Sequence, residues 1–333
     1  MIDAYAHIVP PRYLERVERL LTTWQPSDRV KLYRSWLRED EVLGSLDARW
    51  RLLDRFPDYR QVLVLGVFPT HELGDPGTSL DFARAVNDEL ADLVRDHPDR
   101  FAGFAAELPL NDVDASLEEL DRAVHDLGAL GAQIQTNIHG LPLDDPRFEP
   151  LFARLEELDR AAWLHPTRSA IWPDYLTERE SRYGIWWSLG WPYETAAAMA
   201  RLVYAGHMER FPGLKVITHH GGGMIPHFSG RLDAVQTDDQ QEVFDQVFRR
   251  PALDYFRMFY ADTAFFGASH GVRSTIEFFG PDHVLFGTDM PLGGPEVIPD
   301  TVADVRAVGL PREDEQKVMQ GNAERVLGLA ARV

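Results

Sequence analysis

The sequence predicts an α/β protein, a single-domain (β/α)8 TIM barrel spanning residues 1–333 with insertions over the C-terminal mouth. Three observations carry that expectation. Eight short apolar runs recur along the chain, separated by longer stretches with apolar residues at helical spacing. The first run continues as "AHIVPPRY", unlike the Gly-rich phosphate turn that opens a doubly wound sheet. Histidine and aspartate recur at the C-terminal ends of the runs, where barrel enzymes assemble their sites.

The runs are 2–7 (IDAYAH), 61–66 (QVLVLG), 101–106 (FAGFAA), 131–136 (GAQIQT), 161–165 (AAWLH), 214–220 (LKVITHH), 257–262 (RMFYAD) and 283–289 (HVLFGTD). Helical periodicity marks 81–98, 116–131 and 195–212 between them. Alternating short strands and helices build parallel βα units, and eight units close a barrel. Two longer stretches, 11–60 and 166–195, read as insertions over the mouth. Their aromatics (Trp24, Tyr33, Trp36, Trp172, Tyr175, Tyr183, Trp186 and Trp187) suggest an enclosed or subunit-contacting entrance. The apolar helix from Glu194 to His207 suits either packing onto the barrel or a subunit interface.

Composition narrows the function. A net charge of −19 repels nucleic acid and anionic membranes, so neither is expected as a partner. With no cysteine there is no disulfide, thiolate nucleophile or iron–sulfur cluster. No apolar run reaches membrane-spanning length and no basic leader opens the chain, so a cytoplasmic protein is expected. Lysine occurs only at Lys31, Lys215 and Lys317.

The polar residues at the strand ends are the candidate site. Asp3, Tyr5 and His7 alternate along the first strand and share one face. His165 ends the fifth run, His219 and His220 the sixth, Asp262 the seventh and Asp289 the eighth. Imidazole and carboxylate together suit a divalent ion: zinc first, manganese or iron otherwise. His71, His97, His125, His139, His207, His227 and His283 fall in loops, helices or strand starts and read as structural. His270 lies just past the seventh strand.

These strand ends resemble the amidohydrolase superfamily, in the amidohydrolase-2 branch of aminocarboxymuconate-semialdehyde and γ-resorcylate decarboxylases. The resemblance rests on "LHPTR", "HGGGMIP", "FGTDMP", "WSLGWPYET" and "LDARWRLLD" taken together. It implies a metal held by His7, His165 and Asp289, with Tyr5, His220 and Asp262 as further candidates. It implies His220 as the acid–base histidine acting beside Asp289, because His220 stands six residues before Pro226. It implies Arg49, or Arg51, as the partner of a substrate carboxylate, and Trp187 as a pocket wall. Binuclear relatives use a strand-four lysine or glutamate; "GAQIQTN" has neither, so one metal is expected. His219 with Asp262 is the alternative source of a second site.

Tyr5 departs from the pattern, which has histidine or glutamate there. It is open to three readings: a phenolate ligand, a substrate-binding hydroxyl, or the mark of a weakened site. The expected function is a mononuclear metal-dependent decarboxylase or hydrolase of a small carboxylated substrate. The alternatives are the structural subunit of an iron-dependent monooxygenase made of two amidohydrolase-like chains, and a metal-free binding protein. A homodimer, or a hetero-oligomer with a related chain, is the expected assembly.

Overall fold

The computed structural model describes residues 1–23, 28–234 and 237–329, so Trp24 lies outside the described residues. Seven parallel strands are present: β1 (Ile2–Ile8), β2 (Arg60–Leu65), β3 (Phe101–Phe104), β4 (Gly131–Gln135), β5 (Ala161–His165), β6 (Lys215–Thr218) and β7 (Tyr260–Ala261). β1–β2–β3 form one sheet and β4–β5–β6–β7 another. They join through a bridge between Ala106 and Ala132. The strands read as near-continuous apolar runs because both faces are covered, as parallel sheets require.

The eighth run, 283–289, does not form a regular ladder. It is extended, bridges Ala261 at Val284, and closes the ring through backbone bonds to β1. The amide of Ala4 donates to the Phe286 carbonyl at 2.8 Å, and that of Asp289 to the Tyr5 carbonyl at 3.1 Å. The fold is therefore a closed (β/α)8 barrel. The seventh strand is shorter than the sequence suggests, since only Tyr260–Ala261 pair with β6.

Two apolar layers hold the barrel. Ile2, Ala4, Tyr5, Val62, Val64, Trp163, Ile217 and Leu285 form an inner layer. The buried Trp163 donates its indole N–H to the Ala4 carbonyl at 2.8 Å. The outer layer packs strands against helices such as Pro76–Asp96, which is capped by the Asp75 carboxylate. The helix expected at 116–131 instead spans Val113–His125, because Asp112 caps it earlier. The helix expected at 195–212 starts at Gly190 and breaks after Tyr204, where Gly206 takes a left-handed φ of 78°.

The two insertions meet over the mouth. The first carries helices Asp28–Glu39, Glu41–Gly44 and Leu46–Leu53. The second runs mostly without regular structure to a short helix, Ile185–Ser188. Trp36 of the first stacks on Trp186 of the second, with centroids 6.3 Å apart and planes 7° apart. Trp191 sits edge-on to both, at 6.0 Å and 5.7 Å.

Candidate metal centre and its aromatic pocket

Strand alternation delivers the site. His7 and His165 end β1 and β5, and His219 follows β6 on the face of Ile217. His7, His165 and His219 each offer a ligand atom within 4.8 Å of the others, and His219, His220 and Asp289 form a second, overlapping group. The Asp289 Oδ1 lies 3.1 Å from the His7 Nε2 and 3.2 Å from the His219 Nε2. Asp289 and His220 both adopt left-handed backbone, with φ of 63° and 50°. Such conformations persist where surrounding structure holds them, and they cluster at functional sites.

Each imidazole is anchored from behind through Nδ1. That of His7 faces the Val64 carbonyl at 3.4 Å, that of His165 the Pro166 carbonyl at 2.8 Å, and that of His220 the Ala264 carbonyl at 3.0 Å. His219 Nδ1 pairs with the Asp262 carboxylate. This arrangement puts the proton on Nδ1 and leaves Nε2 as the donor atom, the usual pattern behind metal-binding histidines. His7 Nε2, His219 Nε2 and Asp289 Oδ1 are buried and face one another with no other partner among the described residues, and the Tyr5 hydroxyl is buried without a hydrogen-bond partner. Donor atoms that converge in this way fit a divalent ion.

The electrostatics agree. Burial alone would raise the Asp289 carboxyl, but His219 and His7 outweigh it and hold it well below the usual carboxylate range. Burial alone would lower His219, but Asp262 and Asp289 push it up to about 10. Burial, with His219 beside it, pushes His220 down to about 4. An ion entering the centre would displace protons, as metal binding to histidine does generally.

A cavity of about 530 Å³ opens above the centre, with His220 and Asp289 in its wall and Trp36, Trp186, Trp187, Trp191 and Phe266 around them. Trp187 lines the cavity and is 47% exposed. Glu39 and Asp40 line the cavity, and no arginine or lysine does among the described residues.

Several expectations change. Arg49 is fully buried, and its guanidinium donates to the Gln61 side chain at 2.7 Å and to the His7 carbonyl. Its guanidinium reaches the first strand, and Arg49 does not line the cavity. Arg51 pairs with Glu41 on the surface, at 3.0 Å. Asp3 lies deeper than Tyr5 and His7, bonded to the hydroxyls of Tyr59 and Thr288, and is not part of the centre. Asp262 accepts from His219 and from the Gly221 amide at 2.9 Å, so it orients an imidazole and does not build a second site. Tyr5 is fully buried, does not line the cavity, and stacks on His219 with centroids 3.9 Å apart. Its hydroxyl is buried without a hydrogen-bond partner among the described residues.

Of the mouth aromatics, Tyr33 is buried, Trp172 lies under the Arg168 guanidinium, and Tyr175 and Tyr183 are exposed. Trp191, which sequence reasoning missed, sets its ring 5.6 Å from that of His165. Its signal was the second tryptophan of "WSLGWP". The inward position of His219 was legible from alternation, since it shares the inner face with Ile217.

The amidohydrolase-2 family model, described as "Amidohydrolase", matches residues 2–329. The chain belongs to that family. It is an enzyme of that family. It is 28% identical to the 2-amino-3-carboxymuconate-6-semialdehyde decarboxylase of Dictyostelium discoideum, over 98% of this chain and 91% of that one. It is 30% identical to the γ-resorcylate decarboxylase of a Rhizobium species, over 87% and 89%. A dihydroxybenzoic acid decarboxylase from Polaromonas, solved with manganese and the inhibitor 2-nitroresorcinol, shares the amidohydrolase-2 fold with a TM-score of 0.78. It is 24% identical over 99% of this chain and 97% of that one.

Proposed function

We propose that this amidohydrolase-2 protein is a mononuclear metal-dependent decarboxylase of a small, planar, hydroxylated carboxylic acid. The observation that carries the reading is one site that combines a metal-type donor set with a separate imidazole, His220, at the base of an aromatic cavity. The relatives' activities support the carboxy-lyase reading over hydrolysis. His7, His165 and Asp289 hold the ion, for which zinc is the first choice and manganese or iron the alternatives. When bound, the ion polarises the substrate carboxylate and an adjacent oxygen as a Lewis acid.

The protein's own groups do the rest. The cavity offers no cationic side chain among the described residues, so the substrate's negative charge is met at the centre itself. Trp36, Trp186, Trp187 and Trp191 offer ring faces and edges to a flat substrate and keep water from the reacting carbon. Decarboxylation breaks one carbon–carbon bond, releases carbon dioxide and puts one proton on the carbon left behind. His220 is placed to carry that proton: its Nδ1 is tied to Ala264 and its ring lines the cavity. Burial, with His219 beside it, holds the His220 ring below its usual value.

The test is carbon dioxide release from a panel of ortho-hydroxybenzoates and from 2-amino-3-carboxymuconate semialdehyde, by protein loaded with zinc, manganese or iron. Release from at least one substrate, abolished by chelation and restored by metal, is expected. Metal-dependent hydrolysis of esters or amides without any decarboxylation would replace this reading with a hydrolase.

A further inference from the structure

The family pattern places a histidine or glutamate ligand at the position of Tyr5, and this chain has no such group there. We propose that His219, the residue after β6, supplies the missing donor, that Asp262 orients it, and that Tyr5 is its packing platform and not a ligand. This inference rests on the metal-dependent reading of the same centre.

Four observations converge. His219 Nε2 approaches the same Asp289 oxygen as His7 Nε2, at 3.2 Å and 3.1 Å, so both imidazoles point at one place. His219 joins His7 and His165 in one of the two ligand groups and His220 and Asp289 in the other; no other residue is in both. Its Nδ1 is bound to Asp262, a fully buried carboxylate that also accepts from the amides of Gly221 at 2.9 Å and Ala264 at 3.3 Å. Those bonds leave Asp262 no freedom to swing toward the centre, and they fix the plane of the His219 ring. A carboxylate behind a histidine is the arrangement that orients metal-binding imidazoles.

The fourth observation is Tyr5 itself. Its ring lies flat on the His219 ring, 8° from parallel, and His220 stacks on the other side with centroids 3.8 Å apart. The sandwich locks the imidazole about its long axis. A phenol is a poorer ligand than the imidazole it supports.

Consecutive residues then do different work. His219 is still on the strand's alternation and points into the barrel. At His220 the backbone turns left-handed, and Gly221 continues the turn with a φ of 63°. A Cβ on Gly221 would lie 2.1 Å from the Phe265 ring, so only glycine lets the chain turn here. This turn leaves His220 at the cavity while His219 stays below it.

The full chain loaded with cobalt(II) gives a direct count. Each imidazole bound through Nε2 keeps an exchangeable Nδ1 proton, which the paramagnetic ion shifts far from the ordinary proton NMR range. Three such signals, from His7, His165 and His219, are expected; two would overturn the assignment. Competition with a chromophoric zinc chelator supplies the variants. His219→Ala is expected to weaken zinc binding by about 100-fold and Asp262→Asn by about 10-fold, while Tyr5→Phe stays within about threefold of the native chain. Retained affinity in His219→Ala, or loss confined to Tyr5→Phe, overturns it. A native chain that binds neither cobalt nor zinc overturns the metal-dependent function together with the ligand assignment, which separates the two failures.

Discussion

The guanidinium of Arg49 donates to the backbone carbonyl of His7, so a helix of the first insertion holds the strand end that carries a metal-site imidazole. The same group donates to Gln61 at 2.7 Å and is fully buried. Burial pulls Arg49 down to about 10, with Tyr59, Asp40 and Asp3 opposing that shift. Replacing it with methionine keeps much of the volume and leaves the His7 carbonyl and the Gln61 amide oxygen without a donor. Arg49→Met is expected to cost about 2–4 kcal/mol in chemical denaturation. In the protein that remains folded, KM for the substrate should change little. A large rise in KM without loss of stability would return Arg49 to the substrate.

In the proposed function His220 carries the proton and does not hold the metal. Its ring lines the cavity and its Nδ1 is tied to Ala264. His220→Ala is expected to lower kcat by about 10²–10⁴-fold, the range for a positioned proton carrier. Zinc content by elemental analysis should stay near that of the native chain. Undiminished turnover would remove the proton-carrying role.

Trp187 stands half-exposed at the cavity rim, whereas Trp191 is buried against His165. Loss of one stacking face costs about 0.5–1.5 kcal/mol. Steady-state kinetics of Trp187→Ala should therefore show KM raised by about three- to tenfold with kcat nearly unchanged. The comparable change at Trp191 should lower kcat as well, because its ring supports His165.

Glu107 sets a pH dependence away from the site. It is buried and accepts from the Thr70 amide at 3.0 Å and the Gln133 side chain at 3.2 Å. Burial raises its carboxyl from 4.5 to about 8, against the opposing effect of those donors. Between these values the folded chain keeps a proton that the unfolded chain releases. The contribution is therefore full below about pH 4.5 and is lost as pH rises through 8. Glu107→Gln should flatten the fall in melting temperature between about pH 5 and 9. An unchanged slope would show that Glu107 does not control it.

Much of the barrel was legible because period-two and helical patterns are local. β1 and β5 stand close to their expected bounds, since burial on both faces leaves an unbroken apolar run. The eighth run looked like a strand by the same rule. It is extended, yet it bonds to its neighbours too irregularly to form a ladder. Helix starts shifted where a cap such as Asp112 lay outside the periodic stretch. The contacts of Arg49 were not legible because a helical arginine beside an apolar face looks the same whether it reaches a ligand or a buried carbonyl.

The sequence by itself determined the barrel, the identity of the polar strand ends and the absence of thiol chemistry, because these follow from residue type and short-range spacing. The tertiary structure decided which of those ends work together. Asp262 and Asp289 look alike in sequence, each an aspartate closing a strand, yet one orients His219 and the other approaches both His219 and His7. The stacking of Tyr5 on His219 likewise appears only in the folded chain. Those distinctions depend on contacts across the closed ring, between residues 42 to 284 positions apart, and no local pattern encodes them.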